Sequence, residues 1–246
     1  MRRSSKYIRT AIFLVLTSLC ATLPVFSADT PKKDVKKDAP APAVEMAPIE
    51  IKLPPPYFGG TPINYNGEHF EGRIFTQRPP FPAPKGAVNL SQGRPVTGSD
   101  ADPTFGKLSM ITDGEKGYQN EFLTELAAGK QWIQVDLGQQ CDIYAIICWH
   151  YHSNERVYFD VVVRTADDSE FTKYQTLYNN DYDNSSGLGI GKDLEYLETN
   201  EGRLISALKE GKGTPGRYVR LYSKGNTTDD TNHYVEVEVW GKPAGK

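Results

Sequence analysis

Two widely separated stretches limit what this chain can fold into: WIQVDLG at residues 132–138, and RYVRLYSKGN with NHYVEVEVWG at residues 217–226 and 232–241. Both alternate apolar and polar residues with a period of two, the pattern of a strand with one face in a core. In the first, Ile133, Val135 and Leu137 fall on one face and Gly138 ends the run. In the last, Val235, Val237 and Val239 are expected to point one way, with Tyr234, Glu236, Glu238 and Trp240 on the other. Further strands are expected at 131–138, 142–151, 157–165, 173–178, 193–199, 217–223 and 233–240. They are short and separated by polar turn clusters such as TADDSE and SKGNTTDD, which predicts an all-β sandwich and not alternating βα units. The best helical candidate is a short turn at 201–209, EGRLISALK.

The N-terminus reads as an address. Arg2, Arg3, Lys6 and Arg9 precede an apolar run from Ala11 to Leu23, then Pro24 and small residues, with Ser27 or Ala28 last before cleavage. That is the layout of a secretory signal peptide over residues 1–28, and the run is too short to span a bilayer. Export is expected, to the periplasm or outside the cell, with no transmembrane segment in the mature chain. Cleavage leaves 24 basic against 31 acidic residues and moves the net charge from −3 to −7. An acidic chain without a basic stripe excludes nucleic acid as a partner and disfavours anionic membranes.

Residues 29–56, rich in Pro, Ala, Lys and Asp, are expected to form a disordered linker. Residues 57–86 carry Tyr57, Phe58, Tyr65, Phe70, Phe75 and Phe81 among glycines and prolines. Prolines remove ladder donors, so this segment is expected to wrap irregularly over the next domain without building a sheet. Residues 87–241 then form one sandwich. Cys141 and Cys148 lie seven positions apart, about 23 Å along a strand at roughly 3.3 Å per residue and on opposite faces. An intramolecular disulfide between them is not expected.

AVNLSQGRPVTGS (87–99), ITDGEKG (111–117), QWIQVDLG (131–138), IYAIICWH (143–150), RYVRLY (217–222) and NHYVEVEVWG (232–241) occur in that order. Together they resemble the coagulation factor 5/8 type C, or discoidin, domain of the galactose-binding-like superfamily, and are similar to family 32 carbohydrate-binding modules. The resemblance spans residues 87–241 and implies a jelly-roll β-sandwich that acts by binding. It also implies a structural calcium ion held by Asp113 of the Asp-Gly loop and Glu236 of the last strand. Calcium takes several hard oxygens, which a tight glycine turn and carboxylates supply. The loop departs from the family pattern: Glu115 holds the second acid, and Tyr118 and Asn120 stand at the usual Thr and Trp positions. Asp113 and Glu236 also read as a turn residue and an exposed strand residue.

The most unusual cluster is Trp149-His150-Tyr151-His152, with Arg156 just beyond. Sugar sites use an aromatic face for the C–H side of a pyranose and planar donors for its hydroxyls. His150, Tyr151, His152 and Arg156 are therefore candidate ligand contacts, with Trp149 expected in the core. The competing reading makes the two histidines buried hydrogen-bonding residues. Zinc would also use a His-x-His pair on one face, with His233 or an acid completing the set only through tertiary folding. The long polar loop 179–193 offers Tyr182 and Asn184 as further contacts. Its Asp181, Asp183 and Ser185 imitate a calcium loop, but Ser186 and Lys192 replace the required glycine and closing acid.

Nothing points to catalysis. No acid pair sits in a setting that would split two carboxyl pKa values, and Gly-x-Ser-x-Gly and His-Glu-x-x-His are absent from the sequence. The expected function is an exported non-catalytic module whose loops bind carbohydrate. The alternative is a protein-interaction or structural module whose partner is an envelope protein.

Overall fold

The computed structural model describes residues 44–245, so the signal peptide and the linker up to residue 43 lie outside the described residues. The strands are β1 (Met46–Pro48), β2 (Pro82–Pro84), β3 (Val88–Asn89), β4 (Val96–Gly98), β5 (Thr124–Leu126), β6 (Gln131–Trp149), β7 (Val162–Ala166), β8 (Tyr174–Asn179), β9 (Arg203–Ser206), β10 (Thr214–Ser223), β11 (Asn232–Tyr234) and β12 (Glu236–Pro243). Short 3-10 helices at Leu108–Thr112 and Asn120–Phe122 are the only helices among the described residues. None of them is long and apolar enough to cross a membrane.

The fold is a jelly-roll-type β-sandwich organised by β6. The two strands expected at 131–138 and 142–151 are one continuous 19-residue strand, with Gly138 inside it at φ +80°. The first half of β6 pairs with β4 and β10, and β10 leads on to β7 and β8. The second half pairs with β12 and β9, and β12 carries β3 at its far edge. Ile133, Val135 and Leu137 meet Val163, Val219, Leu221, Val237 and Val239 in one buried core.

A bulge decides which residues enter that core. Trp240 pairs with Ala145 and Gly241 with Ile143, which leaves Tyr144 as an extra residue on β6. An extra residue reverses the alternation. Cys141 and Ile143 face the inner core before the bulge, and Ile146 and Cys148 face it afterwards. Tyr144, Ala145, Ile147 and Trp149 turn outward into a second apolar cluster. The expectation that the two cysteines face opposite ways is therefore wrong. Both thiols are free and buried. A second break falls at Val235, between β11 and β12: Tyr234 lies in the inner core and Val235 in the outer cluster. Residues 193–199 form only isolated bridges, and the helical candidate at 201–209 contains strand β9.

The outer cluster cannot face water, and the segment before the sandwich covers it. Ile49 and Ala83 are buried against Tyr144, Ala145, Ile147, Trp149 and Val235, with Ile51, Leu53 and Phe81 beside them. Ordered packing thus begins well before residue 57, because Ile49, Ile51 and Leu53 have an apolar face to cover. The extension also builds a sheet, contrary to the expectation from its prolines. In the β1–β2 pair, Ile49 N–H donates to Phe81 O (3.0 Å) and Lys85 N–H to Glu45 O (2.8 Å). With Ala47 opposite Ala83 on the same alternation, Pro48, Pro82 and Pro84 fall at the non-bonded positions, where no N–H is needed.

Beneath the loops lies a polar core. Arg156 donates to Asn154 Oδ1 (2.9 Å) and Asp229 Oδ2 (3.0 Å), and lies 3.4 Å from His233 Nδ1. Tyr158 O–H donates to the same Nδ1 at 3.0 Å. Two donors on Nδ1 leave the imidazole proton on Nε2, which reaches Thr231 Oγ1 (3.1 Å) with Glu125 Oε2 3.3 Å away. Burial, the Arg156 charge and, to a lesser extent, His150 push the His233 pKa down to about 4, against the pull of Asp229.

Two measurements check these assignments. Ile49→Ala should cost about 2 to 4 kcal/mol in urea unfolding, as expected for a large-to-small change in a packed core. The His233 pKa lies below its unfolded value of 6.5, so the unfolded chain takes up the proton first as pH falls. Stability should therefore be complete above pH 6.5 and decline toward pH 4, by roughly 3 kcal/mol from this residue. His233→Gln should flatten that part of the urea-midpoint profile.

Candidate functional site

The sandwich presents its loop end with most of the expected ligand contacts already engaged. His150 is fully buried, stacked on Tyr158 at 4.3 Å, with Nδ1 3.3 Å from Glu198 Oε1 and 3.4 Å from the Tyr196 hydroxyl. The bulge at Tyr144 puts it on the inner-core side of β6. His152 is buried too, its Nε2 3.1 Å from the Lys116 carbonyl oxygen, and burial lowers its pKa. Arg156 is held in the polar core. These three side chains are closed to a soluble ligand, and their expected role as contacts is corrected: each lost its exposure to tertiary packing. His150 and His152 also do not join a metal-ligand set among the described residues.

Tyr182 and Asn184 are not brought near Tyr151. Tyr182 stacks on His69 of the extension at 3.4 Å and 15°. Asn184, at φ +55°, shapes its own turn by accepting the Gly189 N–H at 2.7 Å. Asp160, Asp181 and Asp183 place one carboxylate oxygen each within 4.8 Å of the others. Asp181 is already engaged by Ser185 N–H (2.9 Å) and Ser186 N–H (3.1 Å), and Lys224 Nζ lies 3.6 Å from Asp160.

Asn184 is exposed and Tyr182 partly covered on the 179–193 loop, and of the contacts expected at 150–156 only Tyr151 is not buried. It forms one wall of a groove of about 340 Å³ with Tyr57, Tyr118, Gln119, Asn120 and Asn154. Tyr57 and Tyr118 are stacked at 3.6 Å with rings 3° from parallel, and Tyr57 is 46% exposed. The Pro54-Pro55-Pro56 run restricts the backbone leading to Tyr57. Gly59 docks the extension by donating to Ser153 O at 2.8 Å, so close that a Cβ would meet that oxygen at 3.0 Å. The Tyr151 hydroxyl donates to Asn120 Oδ1, and the Arg156 guanidinium lies 5.1 Å from its ring centroid. No lining residue of the groove is charged. Tyr57, Tyr118 and Asn120, which line this groove, were not among the contacts expected from the sequence. The available signal was the departure from the family loop, where Tyr118 and Asn120 replace Thr and Trp.

Behind this groove, the Asp-Gly loop meets β12. Gly114, at φ +95°, donates its N–H to Glu236 Oε2 at 3.1 Å, while Gln92 holds the Asp113 carbonyl at 2.8 Å. Glu236 is fully buried, not the exposed strand residue of the competing reading, and its Oε1 has no partner. Burial pushes its pKa up to about 9; the Gly114 N–H and Lys116 lower it, while Glu238 and Asp113 add to the rise. Lys116 does not answer this need, because its ammonium is bound to Glu238 Oε1 at 2.5 Å. An unpartnered buried carboxylate oxygen suits a hard cation, while the Asp113 side chain is exposed and its Oδ1 accepts the Glu115 N–H at 2.9 Å.

No family model matches the chain, and no curated protein matches it. Among solved structures it is similar to a family 89 glycoside hydrolase from Clostridium perfringens, with 18% identity and a TM-score of 0.47 over 65% of this chain. The chain spans 15% of that enzyme's length. It is also similar to the CBM32 of AlyQ in complex with 4,5-unsaturated mannuronic acid (18% identity, TM-score 0.39, 59% of this chain and 92% of that one). A third similar structure is SpX-3, a Streptococcus pneumoniae fucose binding module (15% identity, TM-score 0.42, 62% and 96%).

Proposed function

We propose that this chain is an exported, non-catalytic carbohydrate-binding module that takes a sugar in the groove of Tyr57, Tyr118 and Tyr151. The carrying observation is the groove itself: tyrosine rings and side-chain amides without a charge, on a rigid platform. Tyr57 offers its free ring face to the C–H side of a pyranose, the other face being taken by Tyr118. Gln119, Asn120 and Asn154 supply donors and acceptors for hydroxyls. Export rests on the leader at residues 1–28, and the partner is a glycan outside the cytoplasm. A catalytic role finds no support in the one buried thiol-imidazole pair. Cys148 Sγ lies 3.7 Å from His150 Nε2, but both are sealed in the core and burial raises the thiol pKa.

Calcium is the proposed structural cofactor, with Asp113 and Glu236 as its side-chain ligands. The orphaned Glu236 Oε1 supports this reading, because a bound cation would give that oxygen a partner and compensate the buried charge. The ion would tie the Asp-Gly loop, and Tyr118 five residues beyond Asp113, to β12.

Binding is checked by screening the mature protein on a printed glycan array. Tyr57→Ala, at a half-exposed position, should keep the melting temperature and weaken glycan binding at least tenfold, in line with about 1 to 3 kcal/mol for a stacked ring. Silence of the wild type on every glycan would overturn the proposal. For calcium, the melting temperature of chelator-treated protein should rise on adding the ion. Glu236→Gln should abolish that rise while leaving the metal-free protein about as stable, since a neutral amide replaces a carboxyl that burial already keeps protonated at neutral pH. An unchanged melting temperature for the wild type would rule the ion out.

A further inference from the structure

A second concavity among the described residues is larger than the tyrosine groove. It has a volume of about 760 Å³, lies at the seam where the extension crosses β9, and shares no lining residue with the groove. Its floor is Arg203, lying 4.7 Å from the Tyr196 ring centroid and bound to both oxygens of Glu71 at 2.9 Å. One wall is the extension loop 72–79, and the other is the turn of Thr199 and Asn200 before β9.

The loop is pinned at both ends. Arg73 donates to Ile63 O (2.6 Å) and pairs with Glu155, while Arg78 donates to Gly202 O (2.8 Å) and Glu201 O (2.9 Å). Between these anchors Phe75 is 90% exposed. A ring kept in water by a doubly anchored loop leaves apolar surface unburied at a fixed place. Around it, Thr76, Gln77, Thr199 and Asn200 supply hydroxyls and amides. Glu71 is paired with Arg203, while the Glu201 carboxylate accepts the Arg78 backbone N–H at 3.0 Å and the Arg78 guanidinium donates to backbone carbonyls.

We infer that this cavity is a second carbohydrate site, which takes a neutral oligosaccharide with one pyranose stacked on Phe75. The inference rests on the carbohydrate reading but not on the tyrosine groove. An aromatic ring beside hydroxyl and amide walls is suited to a sugar's two kinds of surface. The two acids and two arginines of the lining sum to zero, so the cavity has no net charge to favour a uronate or sulfated chain. Two sites on one module make binding to a polysaccharide bivalent, so that surface density and not single-site affinity sets retention.

The test prints neutral oligosaccharides and uronic-acid oligosaccharides at high and low density, and compares wild type, Phe75→Ala, Tyr57→Ala and the double variant. Phe75 is almost fully exposed, so its alanine variant should keep the wild-type melting temperature. Phe75→Ala is expected to lose at least tenfold in retention on dense neutral spots, and the double variant to lose all binding. The second site is overturned if Phe75→Ala matches wild type at every spot. It is overturned equally if the lost binding is to the uronic-acid spots alone. Loss in Tyr57→Ala alone would leave the first groove standing without the second, and loss in Phe75→Ala alone the reverse. A wild type that binds no spot at either density overturns both.

Discussion

The single extra residue at Tyr144 governs much of this molecule. Without it, β6 would keep one face toward the core along its whole length, and its second half would present Cys148 and His150 on the side opposite to Ile133. The bulge turns Ile146, Cys148 and His150 inward and throws Tyr144, Ala145, Ile147 and Trp149 outward. One strand thus carries two apolar faces in its second half. A β-sheet face of that composition cannot be left in water at roughly 25 cal/mol per Å² of apolar surface.

The extension follows from this need. Ile49, Ile51, Leu53, Phe81 and Ala83 cover the outward face, and the chain between them must travel across the loop end and back. On that path it is stitched to the sandwich by Gly59 to Ser153, Ile63 to Glu155, Tyr65 to Glu195 and Arg78 to Gly202. The same stitches fix the positions of Tyr57 and Phe75. A segment that serves stability thereby also leaves the rings of Phe75 and Tyr57 partly or wholly uncovered.

Most of the inner core was legible in period-two runs, because Val219, Leu221, Val237 and Val239 lie on stretches outside the register shifts of β10 and β12. The outer cluster was not, because the register shift at Tyr144 leaves no mark in composition: the residues on either side are equally apolar. Likewise, the break at Val235 sits inside an unbroken alternation, YVEVEVW, and only the pairing partners reveal it. The proline-rich β1–β2 pair was hidden for a different reason. Proline counts argue against a ladder only when the proline's missing donor falls at a bonded position, and that depends on a partner many residues away.

The candidate site was legible in kind but displaced in place. Histidine and arginine near aromatics suit both a sugar site and a buried polar network, and local sequence does not separate the two. Here the deciding quantity is what covers them. Arg156, His233, Tyr158 and Asp229 satisfy one another within hydrogen-bond distance, which leaves little free donor capacity for a ligand and fixes the loops that carry them. Under the proposed function rigidity is their contribution, since a groove whose walls are already ordered loses less entropy on binding. Tyr151 shows the division of labour within one residue: the Arg156 guanidinium lies near its ring, its hydroxyl is tied to Asn120, and its remaining surface opens into the groove. The polar residues that look most like binding residues hold the platform still, and the uncharged rings and amides above them are left to meet the ligand.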